Sequence, residues 1–192
     1  MGEEQPHKRR LFVGVDLQRE ARARCAAVAE EVRTTGFDAR YERPEKLHLT
    51  LAFLGFVEPS RVEAIATALD AAAAASEPFA VVLDKLGAFP NERRPRVVYV
   101  GARDQGASFR KLASAVRDRY REMGFAFNDD AVAHVTIARV KASHRPLPLV
   151  EFTPIPLDVR ELALFESHPD PARKTSRYEV RCTARLRGPG NL

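Results

Sequence analysis

The sequence predicts an α+β chain of two similar lobes facing a central cleft, and three observations carry that prediction. Short apolar runs of strand type alternate with Ala- and Arg-rich stretches of helical type. Three segments of the first half recur in the same order in the second. Each half also holds one His-x-Thr motif at the same distance from its first strand.

The elements follow in order. Residues 11–15 are a short apolar strand. Residues 19–33, rich in Ala, Arg and Glu, form a helix that ends near Gly36. Residues 47–54 alternate at their start and are closed by Gly55, which predicts a strand. Pro59-Ser60-Arg61 opens a second helix running through Ile65 and Leu69 to the alanine run at 71–75. Pro78 precedes a strand over 79–86. A polar loop at 90–95, a strand over 96–100 and a helix over 108–123 come next. A strand over 133–140 follows, then a loop over 143–156 with four prolines, and last strands over 159–165 and 178–184.

Strands alternating with helices usually indicate parallel βαβ units, but the repeat changes that reading. Arg10-Leu11-Phe12-Val13 resembles Arg96-Val97-Val98-Tyr99, and Leu47-His48-Leu49-Thr50-Leu51 resembles Ala133-His134-Val135-Thr136-Ile137. The spacing from Arg10 to His48 is 38 residues, and from Arg96 to His134 it is again 38. Residues 83–89 then match 159–165 at an offset of 76 rather than 86, because the second half lacks the helix of 60–75. Residues 1–192 therefore read as one domain with short tails at 1–9 and 186–192.

Composition bounds the function. The chain has 192 residues and a net charge of +5, which admits a polyanionic partner. No run approaches the roughly 20 apolar residues of a membrane span. The apolar stretch after Arg10 stops at Asp16, too short for a secretory signal core, and Pro6 stands where N-myristoylation wants Ser or Thr. A cytoplasmic protein without an obligate protein partner is expected. Cys25 and Cys182 match no metal spacing and read as free thiols.

The chemistry lies in the repeat. Residues i and i+2 of a strand share a face, so His48 with Thr50, and His134 with Thr136, oppose an apolar face that packs inward. With five His and eight Thr in the chain, a His-x-Thr spacing arises by chance about 0.2 times, yet two occur at matched register. Two imidazoles can serve as acid and base near neutral pH, and Thr hydroxyls can donate to phosphate oxygens. Zinc is a rival use of His, but the i+2 partners are neutral hydroxyls and no third ligand shares the spacing. No metal and no cofactor are expected. Asp129 and Asp130 read as a polar lead-in to the strand. His7, His144 and His168 lie in tail or loop segments and receive no role.

The motifs His48-Leu49-Thr50-Leu51 and His134-Val135-Thr136-Ile137 resemble those of the 2H phosphoesterases. Residues 10–17, 43–55, 86–90, 134–139 and 164–167 resemble one branch, the RNA 2′,3′-cyclic phosphodiesterases once called 2′-5′ RNA ligases. Ala133 and Tyr41 depart from that branch, which often has Pro and Trp there. The resemblance implies a bilobal fold with pseudo-twofold symmetry, antiparallel sheets flanking the cleft and helices outside. It implies metal-independent opening of an RNA-terminal 2′,3′-cyclic phosphate to a 2′-phosphate and a 3′-hydroxyl, with weak 2′-5′ ligation as the reverse. By the same resemblance His48 is the proton donor and His134 the acceptor, and Thr50 and Thr136 hold the nonbridging oxygens. Other 2′-linked or cyclic nucleotide esters, ADP-ribose cyclic phosphate and 2′-5′ oligoadenylate among them, are alternative substrates. A non-catalytic RNA-end-binding module is the alternative outside enzymes.

Accessory residues complete the expectations. Strict alternation points Arg139 away from His134, so it reaches the phosphate only if the strand bulges or ends near Ala138. Phe12 is a candidate platform for a base, with core packing as its other use. Arg93, Arg94 and the pair Arg173-Lys174 are candidates for holding the RNA backbone.

Overall fold

The structure, a computed structural model, describes residues 7–141 and 145–188. In chain order the elements are β1 (Arg9–Asp16), α1 (Arg19–Thr34), β2 (Arg40–Tyr41), β3 (His48–Val57), α2 (Val62–Ala74), β4 (Phe79–Leu83) and β5 (Lys85–Phe89). They continue with β6 (Val97–Gly101), α3 (Ala107–Glu122), β7 (His134–Arg139), β8 (Ile155–Val159), β9 (Glu161–Asp170) and β10 (Thr175–Arg185). Seven strands lie in the order β10-β9-β1-β3-β7-β6-β5, β2 pairs beside β7, and β4 with β8 forms a separate two-stranded sheet. Pairing is antiparallel throughout. The α+β class is as the sequence predicts.

The pairing carries the duplication. Leu49 faces Val135 where β3 meets β7, a separation of 86. Val81 faces Leu157 at the middle of the β4–β8 pair, a separation of 76. Both offsets are those of the repeat, so equivalent residues meet at the centre of each sheet. Instead of two sheets flanking a cleft, the Leu49–Val135 pair joins the half-sheets into one of eight strands. The halves are also exchanged: β5 follows the first repeat but pairs with β6, while β9 follows the second but pairs with β1.

Two sequence expectations need correction. The strand expected over 79–86 is two strands in different sheets, broken at Asp84, whose backbone N–H donates to the Gly101 carbonyl and whose Oδ1 accepts from the Arg103 N–H. The proline-rich loop conceals β8, where Ile155, Leu157 and Val159 are buried and Pro156 and Asp158 face out. Proline is tolerated there because the strand lies at the edge of a two-stranded sheet. Arg9 opens β1, and Leu186 is buried, so described chain reaches into both expected tails. Residues 1–6 and 189–192 of those tails, and His144, lie outside the described residues.

The core holds the site from behind. Leu49, Leu51, Val135 and Ile137 are wholly buried on the inner face of β3 and β7. Helix α1 contributes Cys25, Val28 and Val32, and α3 contributes Phe109, Leu112 and Val116, at the three- and four-residue spacing of one helical stripe. Each such aliphatic or aromatic side chain taken out of water stabilises the fold by about 1.5–3 kcal/mol. Tyr120 Oη donates to the Ile65 carbonyl at 3.2 Å and ties α3 to α2. Cys25 and Cys182 are free thiols. Among the described residues no helix is long and apolar enough to cross a membrane.

Candidate active site

The outer face of β3 and β7 is where the repeat becomes chemistry. Both strands carry a β-bulge at equivalent residues, and β3 has a second where Leu54 is skipped. Gly14 pairs with Thr50 and Val13 with Ala52, so Leu51 is skipped. Tyr99 pairs with Thr136 and Val98 with Ala138, so Ile137 is skipped. A skipped residue inverts the side-chain parity beyond it. Burial follows suit, with Leu51-Ala52 and Ile137-Ala138 as consecutive buried residues. Phe53 and Arg139 thereby rejoin the face of the His and Thr, which is how Arg139 reaches the cleft. The displaced carbonyls are paired: that of Leu51 accepts from Arg117 Nε at 2.9 Å, and that of Ile137 from the Glu42 N–H at 2.8 Å.

His48, Thr50, His134, Thr136 and Arg139 line one cleft of about 620 Å³. The two imidazoles are held alike. His48 Nδ1 lies 2.6 Å from the Lys46 carbonyl and His134 Nδ1 lies 2.9 Å from the Val132 carbonyl. A carbonyl only accepts, so Nδ1 carries the hydrogen in both rings and Nε2 is left for the cleft. Phe165 stands 5.6 Å from His48 and Phe89 stands 5.1 Å from His134, another pair at the offset of 76. Tyr178 meets His48 edge-on at 5.2 Å, and Tyr99 lies 5.3 Å from His134. The Tyr99 ring lies so close over Gly87 that a Cβ there would come within 2.6 Å of it.

These rings strip water from the imidazoles. Burial pushes His48 down to about 4, opposed by the Lys46 carbonyl and reinforced by the charge of His134. Burial also lowers His134, opposed by the Val132 carbonyl and reinforced by Arg139. Both rings are therefore neutral near pH 7.

A second layer was not legible in the sequence. Glu42, whose side chain is 8% exposed, accepts from Lys46 Nζ at 2.8 Å and from Arg139 Nε at 3.1 Å. Burial alone would raise its carboxyl, but the two cations outweigh burial and hold it below the usual range. Lys46 also donates to Thr175 Oγ1 at 3.1 Å and sits over the Tyr178 ring. Arg10 and Arg40 add further positive charge to the cleft lining. Among the described residues no three His, Cys, Asp or Glu side chains gather where one metal ion could meet them.

Other expected residues fall elsewhere. Phe12 is 3% exposed, stacked on Phe165 at 4.8 Å and packed 4.8 Å from His48, so it walls the histidine instead of offering a face to a base. Phe53, at 63% exposed, is the open ring in the cleft. Arg93 and Arg94 close a turn through their N–H groups on Asn91 Oδ1, and neither lines the cleft. Arg173 pairs with Asp170, while Thr175 and Ser176 beyond it do line the cleft. His168 sits 3.1 Å from Glu179, away from the cleft lining.

Comparison with known proteins agrees with this geometry. Residues 15–99 match the model of the LigT-like phosphoesterases. The RNA 2′,3′-cyclic phosphodiesterase of Archaeoglobus fulgidus is 34% identical over 132 residues, which are 69% of this chain and 73% of that protein. That of Thermotoga maritima is 28% identical, covering 82% and 86%. Among solved structures, the TT0787 protein of Thermus thermophilus superposes with a TM-score of 0.82 at 31% identity, covering 93% of this chain and 98% of that one. The Escherichia coli LigT complex with 3′-AMP superposes with a TM-score of 0.74 at 27% identity, over 93% and 98%.

Proposed function

Because the chain belongs to the LigT-like phosphoesterase family, we propose that it opens 2′,3′-cyclic phosphates at RNA ends, leaving a 2′-phosphomonoester and a 3′-hydroxyl. The observation that carries this reading is the matched pair of imidazoles, each with Nδ1 on a carbonyl and Nε2 left for one cleft that also holds Thr50 and Thr136. Its curated relatives are named for the same reaction.

In the proposed step His134 Nε2 takes a proton from water as the water oxygen bonds to phosphorus. The bond from phosphorus to the 3′-oxygen breaks, and that oxygen takes a proton from His48 Nε2. The roles of the two rings follow the family resemblance, since both are held alike by a backbone carbonyl. Thr50 and Thr136 donate to the nonbridging oxygens, and Arg139, steadied by Glu42, offsets the charge that builds there. Burial keeps His48 neutral near pH 7, so the anionic substrate supplies the field that returns its proton. The same ring opening with a 5′-hydroxyl in place of water breaks the bond to the 3′-oxygen and forms a 2′-5′ bond as a minor activity.

The test is turnover of a dinucleotide ending in a 2′,3′-cyclic phosphate, in excess chelator. Conversion to the 2′-phosphate at an undiminished rate is expected. Tight binding without turnover would make the protein an RNA-end-binding module, and activity that chelation abolishes and a divalent ion restores would defeat the metal-free step.

A further inference from the structure

A second pocket of about 680 Å³ opens off the cleft on the side of His134, sharing with it Thr50, Phe53, Phe89, Asp129 and His134. Its character is opposite to that of the cleft. Phe53, Phe89 and Phe127 give it aromatic walls, and Asn128, Asp129 and Asp130 give it an exposed acidic rim. Its one cation, Arg117, is already committed. Arg117 Nε donates to the Leu51 carbonyl, Nη1 donates to the Asp129 carbonyl and lies 3.7 Å from Asp129 Oδ1, and the guanidinium sits 5.3 Å from the Phe127 ring centre. Arg121, 5.6 Å from the same centre, helps to fix that ring.

Its acidic rim repels phosphate, and its aromatic walls suit a flat, apolar ring with hydrogen-bond donors on its edge. We infer that it is a nucleobase subsite that selects bases bearing an exocyclic amine. The inference rests on the proposed hydrolysis only for what brings a nucleotide to the cleft. Adenine, cytosine and guanine present an N–H₂ group to a carboxylate. Hypoxanthine puts a carbonyl in place of adenine's amine, and uracil flanks its one donor with two carbonyls that a carboxylate repels. Division of charge sets the orientation: phosphate toward Arg10, Arg40 and Arg139, base toward Asp130. Two bases can reach the pocket, that of the nucleotide carrying the cyclic phosphate or that of its neighbour in the chain.

The test compares adenine with hypoxanthine, whose C6 carbonyl replaces the amine and whose N1 carries a hydrogen that adenine lacks. kcat/KM is measured for the mononucleotide cyclic phosphates, and for dinucleotides with the swap at the terminal or the neighbouring base. A preference for adenine of about tenfold, the worth of one hydrogen bond to a charged acceptor, is expected at one position, and that position names the occupant. Asp130→Asn, whose amide can accept or donate, should bring the ratio close to one. Phe127→Ala should lower kcat/KM for both bases about tenfold through lost stacking. Equal rates for the two bases at every position, or a preference that survives Asp130→Asn, would overturn the inference. Asp130 is exposed, so that variant decides should Phe127→Ala fail to fold. Binding of 2′-AMP against 2′-IMP is read in parallel: absence of turnover on every substrate would defeat the hydrolysis reading, while the binding ratio still judges the pocket.

Discussion

Two imidazoles, alike in every contact their strands impose, differ in what surrounds them, and that difference is measurable. The burial that lowers both rings requires kcat/KM to climb as pH falls from 8 toward 6, because the pair must carry one proton and neither ring holds one readily when empty. A rate that stays level between pH 7.5 and 6 would contradict this. Phosphate binding near pH 7 should take up a proton, visible as a dependence of binding heat on the buffer's ionisation enthalpy. For stability the sign runs the same way. The unfolded chain binds a proton at His48 between about pH 4 and 6.5 that the native state refuses, so this group makes stability rise with pH across that window and adds nothing above it. Glu42→Gln should lower kcat/KM about tenfold by freeing Arg139, and should cost about 3 kcal/mol by leaving buried Lys46 without its anion. Urea denaturation and steady-state kinetics on the same sample separate the two effects. His48, Thr50, His134 and Thr136 were legible because period-two alternation needs nothing but sequence. Glu42 was not, since one of its two partners lies 97 residues away.

Among the elements, the matched bulges decide the site. Alternation counted from His134 turns Arg139 inward or outward according to whether Ile137 is counted, and no residue type marks a bulge at Leu51 or Ile137. The sequence could state only the condition. Phe53 was missed for the same reason, although the repeat pairs it with Arg139 at the offset of 86. Strands β4 and β8 were obscured differently: Asp84 breaks one apolar run into two sheets, and prolines mask the alternation of the other. The glycine in β1 carries an element-scale prediction. A Cβ on Gly14 would lie 2.3 Å from the Leu49 carbonyl, so Gly14→Ala must push β1 away from β3 beside the bulge. A loss of about 1–3 kcal/mol is expected, read as a fall in thermal midpoint of a few degrees. An unchanged midpoint would show that β1 has slack the geometry denies.

Across the molecule, duplication places one imidazole from each half at a shared cleft, and asymmetric additions give that cleft a direction. The cations lining the cleft are Arg10, Arg40, Lys46 and Arg139, with Lys46 and Arg139 tied to Glu42. Affinity for a longer oligonucleotide should therefore fall more steeply with salt than affinity for a mononucleotide cyclic phosphate, and Arg10→Ala or Arg40→Ala should flatten the difference while Arg93→Ala should not. The central claim is that each half supplies one of the two proton transfers. Turnover of a dinucleotide cyclic phosphate by His48→Ala and His134→Ala measures it most directly. Each should fall by about 10²–10⁴-fold, and the double variant should fall well short of the product of the two losses. A nitrophenyl ester, whose leaving group needs no proton, should partly rescue His48→Ala alone; rescue of His134→Ala instead would exchange the roles. Near wild-type turnover of the cyclic phosphate by either single variant would contradict the account.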